Sequence, residues 1–346
     1  MVSLYPWKAD GFMESVAEMN MLSGILKSKI RRIAASVYYA TGHLKTRLKG
    51  KVTILMYHRV LSEKELAQQY VQHGMYVLDN VFEKQMQFLK EHFQILSFIE
   101  LLNLWKENKF DKSKRYCVIT FDDGWLDNYI YAYPILKKNN ISATIFLPTT
   151  FIGANQWFWP DKMNYLLHHY FTNSASKLLE SISLGKIDSV IERYKESSDK
   201  EIEDIIEKMS RELNLKIPDE RMLLNWEEVK EMSQNNISFG SHSCNHKILT
   251  KLSAMESQKE IEDSLCTLQK KKINYTPVFC YPNGNYNSEI QGLVKGCGYQ
   301  AAVSTRFGLE NSSAQDLYSL KRIGIHNDIS STMPLFAYRL SKEGQG

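Results

Sequence analysis

The chain has 346 residues, 43% of them hydrophobic, and a formal net charge of +4. That length and apolar content allow a full core in one barrel-sized domain, and so weak a charge gives no electrostatic ground for nucleic acid as a partner. No run of about eighteen uninterrupted apolar residues occurs, so a membrane-spanning helix is not expected, and five cysteines without a CxxC pair suit free thiols in a reducing cytosol.

Residues 1–51 read as an appendage. They lack a basic segment followed by an apolar segment and a small-residue cleavage site, so no secretory signal is expected. Ile30, Ile33, Ala34, Val37 and Tyr38 fall at helical spacing among Lys27, Lys29, Arg31, Arg32, Lys45, Arg47 and Lys49. Such a cationic amphipathic helix either lies on an anionic membrane face or packs on the domain with a solvated basic side.

Val52 to Val60, VTILMYHRV, predicts the first strand, ending in His58 and Arg59. Val81 to His92 has helical periodicity, and Phe93 to Leu96 reads as the next strand. Tyr116 to Phe121 is a short apolar run broken by Gly124, which leaves Asp122 and Asp123 at a strand's C-terminal end, where both can turn into one pocket. Taken alone, Asp-Asp-Gly is as readily an ordinary turn. A helix over Asp127 to Asn139 and a strand over Ala143 to Leu147 continue the alternation, which argues for a parallel sheet or barrel.

Residues 151–236 are longer than one crossover requires. They open with an aromatic cluster holding Trp157, Trp159 and Asp161 and run on into charged helices of a solvated cap. Exposed rings beside a carboxylate suit a sugar face, although core packing is the default for either tryptophan alone. Phe239 to His246, FGSHSCNH, is a second strand end, and a helix starting after Ser241 would put His242 and His246 on one face, able to reach one divalent ion. Val278 to Gly284, VFCYPNG, is a third strand and turn. Cys244 and Cys280 beside it read as small fillers, because thiolate zinc sites show tighter cysteine pairing. Helices over Met255 to Lys272 and Ser288 to Cys297, strands over Tyr299 to Thr305 and Leu320 to His326, and a loosely attached tail at 331–346 complete the chain.

In that order, TFDDG (Thr120 to Gly124), HSCNH (His242 to His246) and FCYPNG (Phe279 to Gly284) resemble the successive motifs of the polysaccharide deacetylase family, also called NodB-homology or carbohydrate esterase family 4. The resemblance implies a distorted, incomplete (β/α)7 barrel over residues 52–330, with a helical insertion at 151–236 and the N-terminal helical extension outside it. Its implied activity is hydrolysis of an N-acetyl or N-formyl group from an amino sugar. One divalent metal is expected on Asp123, His242 and His246, a set that suits zinc, with cobalt, nickel, manganese or iron also compatible. By the same resemblance Asp122 is the general base, the backbone amide of Asn283 is the oxyanion donor, and His326 is the acid for the leaving amine. Tyr281, His58, Trp157, Trp159 and Asp161 are the candidates for holding substrate.

Two departures stand out. Cys280 occupies the place of an arginine that orients the base in many members, and no aspartate-tryptophan motif supports His326; Arg306 and Arg322 are the only substitutes in view. A cytoplasmic place, at the inner membrane face through the basic helix, points to a nucleotide-linked or lipid-linked precursor of a cell-envelope polysaccharide as substrate. The rival readings are an O-acetyl esterase, a non-sugar amidase, or a catalytically silent glycan-binding protein; the last has no need of a base at Asp122.

Overall fold

The strands are β1 (Lys51–Tyr57), β2 (Arg59–Leu61), β3 (Tyr76–Leu78), β4 (Gln94–Ile95), β5 (Tyr116–Phe121), β6 (Ala143–Leu147), β7 (Ile237–Ser241), β8 (Tyr275–Cys280), β9 (Ala301–Phe307), β10 (Glu310–Asn311) and β11 (Leu320–Gly324) in this computed structural model. It describes residues 12–42, 47–174, 187–314 and 316–342, with backbone alone for 12–25 and 172–174. Met1 to Gly11, Lys45 and the terminal Gly344 to Gly346 of the readings above lie outside the described residues.

Seven strands pair in parallel in the order β1, β5, β6, β7, β8, β9, β11, and β1 pairs with β11 as well as β5, which closes the ring. The expected seven-stranded barrel is therefore what the chain forms, one strand short of the eight of a full (β/α) barrel. It is distorted where β5 shares one edge between β4, at Tyr116 and Cys117, and β6, at Thr120 and Phe121.

β5, β6 and β7 are buried on both faces, as parallel strands covered by helices must be. Val118 packs with Ile54, Phe146 and Val278 inside the barrel, while Cys117, Ile119 and Phe121 face the outer layer. The longer helices are α1 (Phe12–Ala40), α2 (Asp79–His92), α3 (Phe98–Glu107), α4 (Tyr133–Asn139), α5 (Trp159–Ser174), α6 (Asp199–Leu213), α7 (Trp226–Ser233), α8 (Ala254–Lys270), α9 (Ser288–Gly296) and α10 (Met333–Leu340), beside short ones at Glu63–Leu66, 187–194 and Asn327–Ser330. Not anticipated from the sequence, α3 sends Phe98 and Leu101 into the interior cluster, where the Phe98 ring meets that of Phe146 edge-on at 6.4 Å.

The insertion has a core of its own, in which α5, a helix over 187–194 and α6 bring together Met163, Leu166, Ile187, Ile191, Ile202 and Ile206. Its last helix does not belong to it: Val229 and Met232 of α7 are buried in the barrel's outer core. The chain's end is corrected as well. Residues 333–340 form α10, whose Leu335, Phe336, Ala337 and Leu340 are buried, so the loosely attached tail expected at 331–346 is instead a packed helix through Leu340. Pro334 begins it rather than breaking it, because the first helical turn has no intrahelical use for the missing N–H. Onto α10 packs α1, through fully buried Ala35 and a Tyr38–Tyr338 ring contact.

A candidate metal and catalytic site at the barrel mouth

All the motif residues leave C-terminal ends of strands, the face on which parallel barrels carry their chemistry. β5 alternates so that Thr120 and Asp122 point inward. Asp123 follows in the left-handed region at φ 72°, turning its carboxylate back toward the mouth. Gly124, at φ 67°, completes the turn; a Cβ there would lie 2.6 Å from the Leu147 side chain, so the close approach to β6 requires glycine.

His242 and His246 do converge on Asp123, but not from a helix. Residues 243–245 form a turn within an irregular segment over 242–248, with Ser243 at φ 61° and His246 at φ 55°. Side chains lock that turn where the sequence suggested helical spacing. Ser241 Oγ accepts from the Ser243 amide, Ser243 Oγ accepts from the His246 amide, and Glu260 on α8 accepts from the Cys244 and Asn245 amides at 2.9 and 2.8 Å. Strained backbone held by surrounding bonds is a common property of functional turns.

The two imidazole Nε2 atoms lie 3.4 Å (His242) and 3.3 Å (His246) from Asp123 Oδ1. Tetrahedral ligands with bonds of about 2.0–2.1 Å sit about 3.3 Å apart, so this donor set has the spacing of a zinc site with open positions. Its supports are also those of a metal site. Trp125 Nε1 donates to the other Asp123 oxygen at 3.0 Å, and His242 Nδ1 donates to the Cys280 carbonyl at 2.8 Å, which leaves Nε2 as the ligating lone pair. A rival set of Asp122, His242 and Cys280 also lies within reach of one ion. It is the poorer one, because burial raises the Cys280 thiol pKa above its ordinary value and both Asp122 oxygens are already engaged.

Asp122 is held by Arg322 of β11. Nη1 donates to Oδ1 at 2.6 Å and Nη2 to Oδ2 at 2.7 Å, with Nε on the Ser304 carbonyl and Nη2 also 3.3 Å from Cys280 Sγ. Burial alone would raise the Asp122 carboxyl pKa, but the guanidinium brings it below the ordinary value. The orienting arginine missing at Cys280 is thus supplied from β11, and its head lies against the very thiol that stands in the usual place. Arg306 is elsewhere, donating to Tyr286 Oη at 3.2 Å.

His58 is also at this corner, its Nε2 4.0 Å from Asp122 Oδ2, and burial lowers its pKa. His326 lies two residues beyond β11, and its Nδ1 pairs with Asp328 Oδ2 at 3.0 Å, so a carboxylate two residues along holds the ring where the aspartate-tryptophan motif is absent. That contact, first among the causes, lowers the Asp328 pKa. Asn283, at φ 56°, lies in the turn Pro282–Gly284, whose Gly284 amide donates to the Tyr281 carbonyl at 2.8 Å; its own N–H is at the turn's start, where no intraturn acceptor is available.

Two expected substrate contacts are corrected. Tyr281 is fully buried, facing outward from β8 with its hydroxyl donating to the Tyr318 carbonyl at 2.9 Å, because strand alternation sends Cys280 in and Tyr281 out. Trp157 is 8% exposed and donates to the Glu220 carbonyl, so its ring is not a free sugar platform, while Trp159 is partly exposed and packs one side against the insertion's own core. The insertion reaches the candidate metal-binding cluster through a different ring, that of Phe158, 4.8 Å from His246. Asp161, one turn further along α5, is half-buried; burial pushes its pKa up to about 7, with Arg59 opposing and Asp123 adding to the rise.

The sequence matches the family model described as Polysaccharide deacetylase over residues 109–302. Among curated relatives, YxkH of Bacillus subtilis strain 168, itself named as a candidate polysaccharide deacetylase, is 27% identical over 84% of this chain and 76% of its own length. A poly-beta-1,6-N-acetyl-D-glucosamine N-deacetylase of Staphylococcus epidermidis is 30% identical over 47% of this chain and 60% of that protein. Among solved structures, the Streptococcus pyogenes deacetylase PplD in complex with acetate matches with a TM-score of 0.56 and 25% identity, covering 81% of this chain and 95% of that one. The matched stretch holds the Asp122–Asp123 corner, both histidines of the 242–246 turn and Asn283. With more than half its length matched, the chain belongs to the polysaccharide deacetylase family, whose members are hydrolases of carbon–nitrogen bonds other than peptide bonds.

Proposed function

We propose that the chain removes an N-acetyl group, or an N-formyl group, from an amino sugar in a cell-envelope glycan or its lipid-linked precursor, with one zinc ion held by Asp123, His242 and His246. The observation that carries this reading is the coexistence of a three-donor set at ligand spacing with a fourth, separately held carboxylate at Asp122. When bound, the metal supplies Lewis acidity, lowering the pKa of water and polarising the amide carbonyl. Asp122 removes the proton from the attacking water; Arg322 occupies one lone pair on each oxygen and leaves the others free to accept. The Asn283 N–H donates to the developing oxyanion, and His326, oriented by Asp328, protonates the departing nitrogen.

Replacing Asp122 by asparagine tests this against a glycan-binding role. Turnover of N-acetylglucosamine oligomers, followed as acetate release, should fall by about 10²–10⁴-fold while the zinc content of the purified protein stays at one per chain. Unchanged acetate release would end the role of Asp122 as base, no acetate release by the parent protein would end the hydrolytic reading, and circular dichroism checks that the fold survives with Arg322 left without its counter-charge.

The placement at the inner membrane face rests on α1. Leu26, Ile30, Ile33 and Val37 form a stripe 57–67% exposed, on the side of α1 opposite Ala35, and Lys27 and Lys29 flank it. Between Glu18 and Glu63 the sequence contains no acidic residue. No helix among the described residues is long and apolar enough to cross a membrane, so the stripe would lie in the plane of an anionic surface. Sedimentation with phosphatidylglycerol vesicles, compared with phosphatidylcholine vesicles and with Ile30→Asp/Ile33→Asp protein, checks it: binding should need both the anionic lipid and the apolar stripe.

A further inference from the structure

Arg59, at the start of β2, is an arginine taken almost wholly out of water, being 7% exposed. Its Nε donates to Asp127 Oδ2 at 2.8 Å, and its guanidinium carbon lies 4.5 Å from the centre of the Trp125 ring. Replacing a buried ion pair by well-packed apolar side chains is often neutral or favourable for stability, so stability alone is a weak account of this pair. What the pair does fix is the placement of a ring.

Asp127 holds the guanidinium where it lies. Its other oxygen, Oδ1, accepts from the Val60 amide at 3.0 Å, and Asn128 Nδ2 donates to the His58 carbonyl at 2.8 Å, so residues 58–60 are tied to residues 127–128 on both sides of Arg59. The flat guanidinium then covers the indole of Trp125, a contact made stronger by the exclusion of water, since that ring is 2% exposed. Phe158 meets the same indole edge-on at 5.7 Å. The backbone is held as well, through a bridge from Trp125 to Leu223 and the Leu126 amide donating to the Met222 carbonyl at 2.9 Å.

The clamped ring has one polar atom, and it faces the candidate metal site. Trp125 Nε1 donates to Asp123 Oδ2 at 3.0 Å, while Oδ1 of the same carboxylate lies 3.4 and 3.3 Å from Nε2 of His242 and of His246. One oxygen is turned toward the imidazoles, and the other is kept from them. Were the indole to turn over, its N–H would leave Oδ2, and the carboxylate would be free to offer both oxygens to an ion, taking up a position that water needs.

We infer that Arg59 is a positioning residue for the metal centre: by clamping the Trp125 ring it keeps the indole N–H on Asp123 Oδ2 and so presents Oδ1 alone to the ion. The inference rests on the reading of Asp123, His242 and His246 as metal ligands. It extends the TFDDG corner in two directions, to Asp127 four residues after Asp123 and to a side chain at the start of β2 that itself holds no metal.

The experiment separates this role from the ion pair's part in folding. Arg59→Met alone strands Asp127 in the core and should lower the urea midpoint. Arg59→Met/Asp127→Asn removes both charges and should bring the midpoint back toward the parent's, since asparagine keeps an oxygen for the Val60 amide. Zinc affinity of that double variant, titrated against a chromophoric chelator, should nonetheless stay about 10–100-fold below the parent's. Arg59→Lys, with a charge for Asp127 but no flat face for the ring, should lose about tenfold. In a Trp125→Phe background, which keeps a ring but has no N–H to aim, the double substitution should cost no more than about a further twofold. Parent-like affinity in either Arg59 variant would overturn the role and leave the ligand set standing, and a loss of the same size with and without the indole N–H would overturn it too. A parent protein that binds no zinc would overturn it together with the reading of the metal centre.

Discussion

At the scale of single residues, the division of labour between two adjacent aspartates is set by what each one touches. Asp123 faces two imidazoles and an indole N–H, while Asp122, one residue earlier, is clamped in two bonds by a fully buried arginine. Removing one partner from such a pair leaves a charge buried without compensation, so Arg322→Met should cost about 3–5 kcal/mol of stability, measured by urea denaturation. It should also let the Asp122 pKa rise, since the guanidinium is what opposes burial there. The acid limb of the kcat/KM profile should then move to higher pH, a shift that a merely structural role for Arg322 would not produce.

At the scale of elements, the site depends on a turn that is itself neither helix nor strand. Residues 242–248 have left-handed backbone at two positions, and Glu260 of α8 accepts from two of the turn's amides and from Asn245 Nδ2. α8 therefore braces the turn that carries His242 and His246, although it contributes neither. Glu260→Ala should lower zinc affinity by about 10–100-fold, read by competition with a chromophoric chelator, with α8 itself kept by its Ser253–Glu256 capping box. Zinc affinity equal to that of the parent would show that the turn holds its shape unaided. The insertion acts in a comparable way, since its own small core frees Phe158 and Asp161 to face the mouth while Trp157 and Trp159 anchor it.

At the scale of the whole molecule, the pH dependence of stability reports on how the insertion covers the barrel. Asp161 has its pKa raised to about 7 by burial, so the folded state keeps a proton that the unfolded chain gives up near pH 4. The sign follows from that. Asp161 favours the fold below the unfolded value, and the advantage is lost as pH rises to the folded one. In metal-free protein, Asp161→Asn should be the more stable form by a margin that grows between about pH 4 and 7 and levels off above, at most about 4 kcal/mol. Thermal midpoints across that range decide it, and a margin independent of pH would place Asp161 in contact with solvent instead.

Much of the frame was legible in the chain itself. The apolar runs ending at Phe121, Ser241 and Cys280 are strands because uninterrupted burial in a parallel barrel leaves a continuous hydrophobic signature, and the acidic and imidazole groups that follow them lie at the mouth because every parallel strand ends on the same side. Local spacing could not show that His242 and His246 meet through a left-handed turn, since a four-residue interval is equally a helical one. Nor could it show that Tyr281 faces outward or that the orienting arginine arrives from β11. Arg322 and Asp122 are 200 positions apart, and only closure of the ring, which sets strand neighbours and alternation together, brings a side chain from one end of the chain against a carboxylate near its middle.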